Sequence, residues 1–152
     1  MSLYLLSVHE GERYLIPSAD VAEVTPYVMP RKITPVPEYV VGMIDYRGET
    51  LPLIDICLLL SGEPCKVVLC SRILIGMIKS PEGKTVKVGW LFDGVTETVR
   101  ITEDRFKTAP LHLEQAPYLG DVATDEKGIM QRIIIQHILP DDAYAILFSP
   151  LD

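Results

Sequence analysis

The stretch Pro35-Val36-Pro37-Glu38-Tyr39-Val40-Val41-Gly42-Met43-Ile44-Asp45-Tyr46-Arg47-Gly48-Glu49-Thr50-Leu51-Pro52-Leu53-Ile54-Asp55 is dense in positional signals. Its prolines hold the approach extended, because proline fixes φ and disfavours a helical residue before it. Val40–Tyr46 and Thr50–Ile54 then read as two short strands, joined tightly by Arg47-Gly48-Glu49. Gly42 sits inside the first strand, where glycine weakens the ladder and marks a bulge or the close approach of another backbone. Arg47 rides on the turn with Gly48 behind it and Asp45 and Glu49 as neighbours. One reading is a surface arginine beside acidic groups, worth well under about 1 kcal/mol. The other is an arginine on a rigid hairpin, placed to enter a partner's surface with its planar, weakly hydrated fork. Composition alone favours the first.

Working outward, alternation dominates over helical period. Val86, Val88, Trp90 and Phe92 share one face at period two, as do Val95, Val99 and Ile101, with Thr96, Thr98 and Arg100 opposite. Asp93-Gly94 reads as a bend between these segments, so Asp93 is a structural turn residue. Ser80-Pro81-Glu82-Gly83 joins Arg72–Lys79 to Lys84–Phe92 as a hairpin with good turn chemistry. Further strands are expected at Leu3–His9, Arg13–Ile16, Val21–Pro26 and Met130–Gln136. Helix signals are short. Asp55–Leu60 reads as a capped turn or two ended by Ser61-Gly62, and Thr102–Phe106 as one capped turn. Leu139-Pro140-Asp141-Asp142 opens either a last helix through Ala143–Phe148 or a final strand. Pro26–Pro37 reads as an extended crossing loop. About ten short strands point to barrels or a sandwich.

Composition bounds the rest. The 152 residues make one ordinary domain, or two very small ones sharing a core. Hydrophobic residues are 48% and mean hydropathy is +0.23, so disorder is not expected. Net charge is −7, which makes a phosphate backbone a poor partner. Apolar runs such as Ile54–Leu60 are far shorter than a membrane span, and the N-terminus has no basic n-region of a signal peptide. Three cysteines, Cys57, Cys65 and Cys70, are an odd set. With no export signal they are expected to be reduced cytoplasmic thiols packed as small hydrophobes.

The sequence offers no chemistry. The spacing C-x7-C-x4-C lacks the close pair typical of structural zinc, and His9, His112 and His137 lie far from it. There is no Gly-x-Ser-x-Gly elbow, no His-Glu-x-x-His helix and no glycine-rich phosphate loop. Glu103-Asp104 and Asp141-Asp142 read as helix starts, where negative charge is favoured. Neither an enzyme nor a cofactor or metal site is expected.

The order Glu23-Val24, Pro35-x-Pro37, Tyr39-Val40-x-Gly42-x-Ile44, Arg47-Gly48, Pro52-Leu53-Ile54-Asp55 resembles the CheW family of chemotaxis coupling proteins. So do Val88-Gly89-Trp90-Leu91-Phe92-Asp93-Gly94-Val95, Val99, and Ile133-Ile134-Ile135, which matches the family's last apolar strand. The resemblance implies an all-β fold of two intertwined five-stranded SH3-like β-barrel subdomains with a few short helices, forming a single domain over 1–152. It implies a non-catalytic, stand-alone cytoplasmic adaptor, associated with receptor arrays at the inner face of the membrane. Its implied partners are the cytoplasmic tip of a chemoreceptor and the regulatory domain of a CheA-type histidine kinase, in flagellar chemotaxis or a surface-sensing or pilus-linked pathway. By the same resemblance, Val21, Glu23, Gly42, Arg47 and Gly48 lie in or beside a receptor-contacting groove between the subdomains, and the apolar edges of the first barrel face the kinase. Asp55 matches a recurrent aspartate that organises a turn. The chain departs from the family at the hairpin, where Asp45-Tyr46-Arg47-Gly48 replaces the frequent Asn-Leu-Arg-Gly and sets the Asp45 carboxylate to fold back onto Arg47. The cysteine-rich stretch Cys57–Cys70 is a second departure. Two rival readings remain: a small-ligand-binding barrel lined by the Trp90/Phe92 face, and a thiol- or metal-dependent enzyme using the cysteines with His112 or His137.

Overall fold

The computed structural model describes residues 2–109 and 116–148. In chain order its strands are β1 (Ser2–His9), β2 (Glu12–Pro17), β3 (Val21–Pro26), β4 (Val40–Tyr46), β5 (Glu49–Asp55), β6 (Arg72–Lys79), β7 (Thr85–Phe92), β8 (Val95–Ile101), β9 (Leu119–Asp125) and β10 (Gly128–Ile133). The helices are α1 (Ile56–Ser61) and α2 (Asp141–Phe148). Two compact units interleave along the sequence. The first takes Met1–Asp20 and Gly94–Ile138, the second Val21–Asp93 and Leu139–Asp152.

The first unit holds a five-stranded sheet in the order β8-β1-β2-β10-β9, antiparallel except where β10 runs parallel to β2. Its core gathers Tyr4, Leu6, Leu15, Ile101, Ala123 and Met130, with Val99 and Phe106 against them. The sheet closes on itself. Beyond β8, Lys107 exchanges both backbone hydrogen bonds with Val122 of β9, at 2.8 and 2.9 Å. Closure satisfies edge groups that would otherwise template aggregation.

The second unit repeats the scheme in the order β3-β6-β7-β5-β4, with β5 parallel to β7. Ile44, Leu51, Leu53, Ile73, Ile75 and Leu91 form one core cluster. Here the edge strand β4 is covered by the segment after β3. Arg31 and Met43 exchange backbone hydrogen bonds at 2.8 Å each. Gly42 permits that approach, because a Cβ there would overlap the Arg31 carbonyl, whose carbon would lie 2.9 Å away. The β4–β5 register also shifts between Val40 and Gly42. Both expectations for this glycine, a bulge and a close backbone, are therefore realised.

Several expectations need correction. Met130–Gln136 is not one strand. β10 ends at Ile133, and Ile135–His137 is a 3-10 turn whose Ile138 amide donates to the Ile135 carbonyl, so the apolar triplet spans a strand end and a turn. β7 does not alternate, because Val88 through Phe92 are all buried. The Glu103–Arg105 turn exists, yet Thr102 makes no side-chain cap. Of the two alternatives left open for the chain's end, residues 141–148 take the helix, which is a choice between them and not a correction. His112 lies outside the described residues.

The cysteines bring the largest correction. Cys57 and Cys65 form a disulfide, with Cα atoms 4.9 Å apart, while Cys70 is free and exposed. The physical reason is local. α1 is short, and Gly62 takes the left-handed conformation at its end, with its amide donating to the Leu58 carbonyl. That reversal sends the chain back beside the start of α1. An odd cysteine count does not prevent two near neighbours from pairing.

Candidate functional site

The β4–β5 hairpin turns through Arg47 and Gly48, which have φ of 50° and 82° between the paired residues Tyr46 and Glu49. Two successive positive φ values define the type I′ turn, whose twist matches that of antiparallel strands. Gly48 adopts this freely, but Arg47 pays about 1 kcal/mol for a conformation that β-carbon sterics disfavour. The turn is thus a rigid mount that holds an arginine out at its tip.

Around Arg47 two side chains converge. Its Nη2 donates to Glu23 Oε1 of β3 at 2.7 Å, and its Cζ lies 5.3 Å from the centre of the Tyr46 ring. The nearby Glu23 carboxylate also pushes the Tyr46 phenol up from its ordinary value. β3 and β4 are the opposite edges of the sheet, so the Glu23–Arg47 pair marks where it curls shut. The guanidinium nevertheless stays accessible, with 73% of the Arg47 side chain exposed. A ring on one side and one carboxylate at one nitrogen leave other donors open to a second acceptor.

Asp45 does not fold back onto Arg47 in this arrangement. Its Oδ1 instead accepts the Gly48 amide at 3.1 Å and pins the turn. Lys87 Nζ donates to Glu49 Oε1 at 3.0 Å on the other side. Of the other expected positions, Val21 opens β3 and is half-buried, and Gly42 is buried at the root of the hairpin. Glu23, Arg47 and Gly48 therefore gather at the tip, whereas Gly42 acts there only through backbone packing. Tyr46 was not among the expected residues. Its place beside Arg47 is legible only once the turn type is known.

Asp55 closes β5 and stands at the start of α1. As N-cap of α1 its Oδ1 accepts the Leu58 amide at 3.0 Å, and its Oδ2 accepts the Cys65 amide at 3.0 Å. Asp93 lies at the bend between β7 and β8, and its carbonyl accepts the Cys70 thiol at 3.3 Å. Asp55, Cys57 and Cys65 offer three donor atoms close together. Structural zinc asks for four, and two of these are bonded to each other, so this donor set does not suit it.

The family model for the CheW-like domain matches residues 3–142. Chemotaxis protein CheW of Bacillus subtilis (strain 168) is 25% identical over 100 residues, covering 66% of this chain and 61% of that protein. The match thus spans less than two thirds of the curated relative. The crystal structure of scaffolding protein TtCheW from Thermoanaerobacter tengcongensis superposes with a TM-score of 0.77 over 93% of this chain and 90% of that one, at 23% identity. That likeness carries the fold: mostly β, two five-stranded sheets, few helices. Sequence motifs, sheet order and family model agree, and the chain belongs to the CheW-like domain family, whose scaffolding proteins are non-catalytic.

Proposed function

We propose that this chain is an adaptor that couples the cytoplasmic tip of chemoreceptors to a CheA-type histidine kinase. The observation that carries this reading is Arg47, held exposed on a strained, closed hairpin in a chain of the CheW-like family. Arginine at the centre of a contact is among the commonest energetic anchors. Val21, Glu23, Gly42, Arg47 and Gly48 form the receptor-binding set in this proposal, with Glu23 and Tyr46 orienting the guanidinium. The chain works as a single domain in the cytoplasm, at receptor arrays on the inner face of the membrane, in flagellar or other chemosensory signalling. Such an adaptor needs only modest interfaces, because an array keeps effective concentrations high.

The ligand-binding alternative finds less support. Trp90 and Phe92 are 0% and 1% exposed and belong to packed core. The test is reconstitution. A receptor signalling-tip fragment and a CheA-type kinase are mixed with and without the chain, and sedimentation is measured. Kinase co-sedimenting with receptor only when the chain is present is the expected result. Kinase recruitment that ignores the chain would sink the proposal.

A further inference from the structure

We propose that Cys57 and Cys65 are a reversible thiol–disulfide switch that controls opening of the loop between α1 and β6. The inference rests on the cytoplasmic reading above, because disulfides in reducing compartments are usually transient or redox-sensing rather than permanent.

Four observations carry it. The bond joins the second residue of α1 to a residue eight positions later, so it staples a short segment rather than distant parts of the unit. Cys57 is 1% exposed while Cys65 is half-buried, so an incoming thiol meets Cys65 first. The reduced state is also accommodated: the Leu91 carbonyl lies 3.4 Å from Cys65 Sγ, where a thiol would find an acceptor. Finally, the stapled residue leads directly into a loop that presents Val67, Val68 and Leu69 to solvent, Leu69 at 97% exposure. Ser71 holds that loop by accepting the Val68 amide and donating to the Lys66 carbonyl, both at 2.9 Å. Once the bond is broken, only hydrogen bonds among those just described hold the segment: the Asp55 carboxylate on the Cys65 amide and the two made by Ser71.

The chemistry balances as thiol–disulfide exchange. In reduction, a thiolate of the glutathione class attacks Cys65 Sγ, forms a mixed disulfide and releases Cys57 as thiolate, which takes a proton. A second glutathione thiolate attacks the mixed disulfide at the glutathione sulfur, forms oxidised glutathione and releases Cys65, which takes another proton. Oxidation by a disulfide oxidant runs the same steps backwards.

The purified chain, without receptor or kinase, is equilibrated in reduced and oxidised glutathione mixtures, alkylated and mapped by mass spectrometry. The expected result is one free thiol, Cys70, at the oxidising end and three at a cytosolic ratio, with Cys57–Cys65 re-forming on return. A pair that stays bonded in excess reduced glutathione, or never bonds in excess oxidised glutathione, overturns the switch. Trypsin cleavage after Lys66 is then followed in both states. Cleavage roughly tenfold faster in the reduced chain is expected from loss of the staple. Equal rates overturn control of the loop. The Cys57→Ser/Cys65→Ser double variant should cleave at the fast rate in every mixture, and Cys70→Ser should keep the response. If the double variant fails to fold, the wild-type arms still decide. These readouts use neither partner, so the switch can fail while the adaptor reading stands, and the reverse.

Discussion

The β1–β2 and β4–β5 hairpins turn in the same way but use their arginines differently. Glu10 and Gly11 have φ of 51° and 79° between the paired His9 and Glu12, which repeats the geometry of Arg47 and Gly48. In the first hairpin the arginine follows the turn. Arg13 is 13% exposed and binds Asp125 through both terminal nitrogens, one at 2.9 Å, and also donates to the Gly128 carbonyl at 3.0 Å. It is spent on the first unit's own sheet. In the second hairpin the arginine is part of the turn, held by one carboxylate beside the Tyr46 ring and largely exposed. Equal backbone geometry therefore says nothing about role; the difference lies in how many donors of each guanidinium are already used.

The largest expected effect lies at the root of the second hairpin, where the first has no counterpart. Gly42→Ala drives a Cβ into the Arg31 carbonyl and breaks the backbone pairing that covers β4. A loss of about 3 kcal/mol in denaturant unfolding is expected from overpacking plus lost hydrogen bonds. A loss under about 1 kcal/mol would show that the 31–43 pairing is dispensable.

Next come the turn glycines. Neither Gly11 nor Gly48 has any atom within 4 Å of where a Cβ would sit, so substitution costs only backbone strain. Gly11→Ala and Gly48→Ala should each cost about 1–2 kcal/mol. Unequal costs would mean that the two turns are not energetic equivalents.

The smallest effect concerns the arginines themselves. The Arg13 guanidinium beside Asp125 holds its carboxyl well below the usual carboxylate range. A carboxyl lowered by folding contributes stability above its unfolded pKa and loses it as pH falls through the folded one. In a proton titration followed by NMR, Asp125 should stay ionised below the ordinary aspartate range of about 3.9, and Arg13→Gln should return it towards that value. An unshifted Asp125 in the wild type would remove the distinction between the two arginines.

Much of the fold is legible in the sequence because turn chemistry is local. Val21–Pro26 and Val40–Tyr46 are strands to the residue, and Asp55 and Gly62 bound α1 as their caps demand. β9 has no such signal. Leu119–Asp125 is an edge strand with a single buried residue, Ala123, and so lacks the alternation that reveals a half-buried strand. At the site, Arg47 and Gly48 announce themselves as a turn. Glu23 is drawn to Arg47 only by closure of the sheet, which no local pattern encodes. Asp45, the nearer carboxylate in sequence, goes to the Gly48 amide instead. The disulfide is not legible from the cysteine count, because counting ignores the reversal at Gly62.

The most direct measurement is the affinity of a receptor signalling-tip fragment for the wild-type chain and for Arg47→Glu, with Glu10→Lys on the other hairpin as control. The expected result is at least about a tenfold weaker Kd for Arg47→Glu, equivalent to about 1.4 kcal/mol, with unchanged unfolding temperature and no effect of Glu10→Lys. Wild-type affinity in Arg47→Glu would contradict the role given to that hairpin.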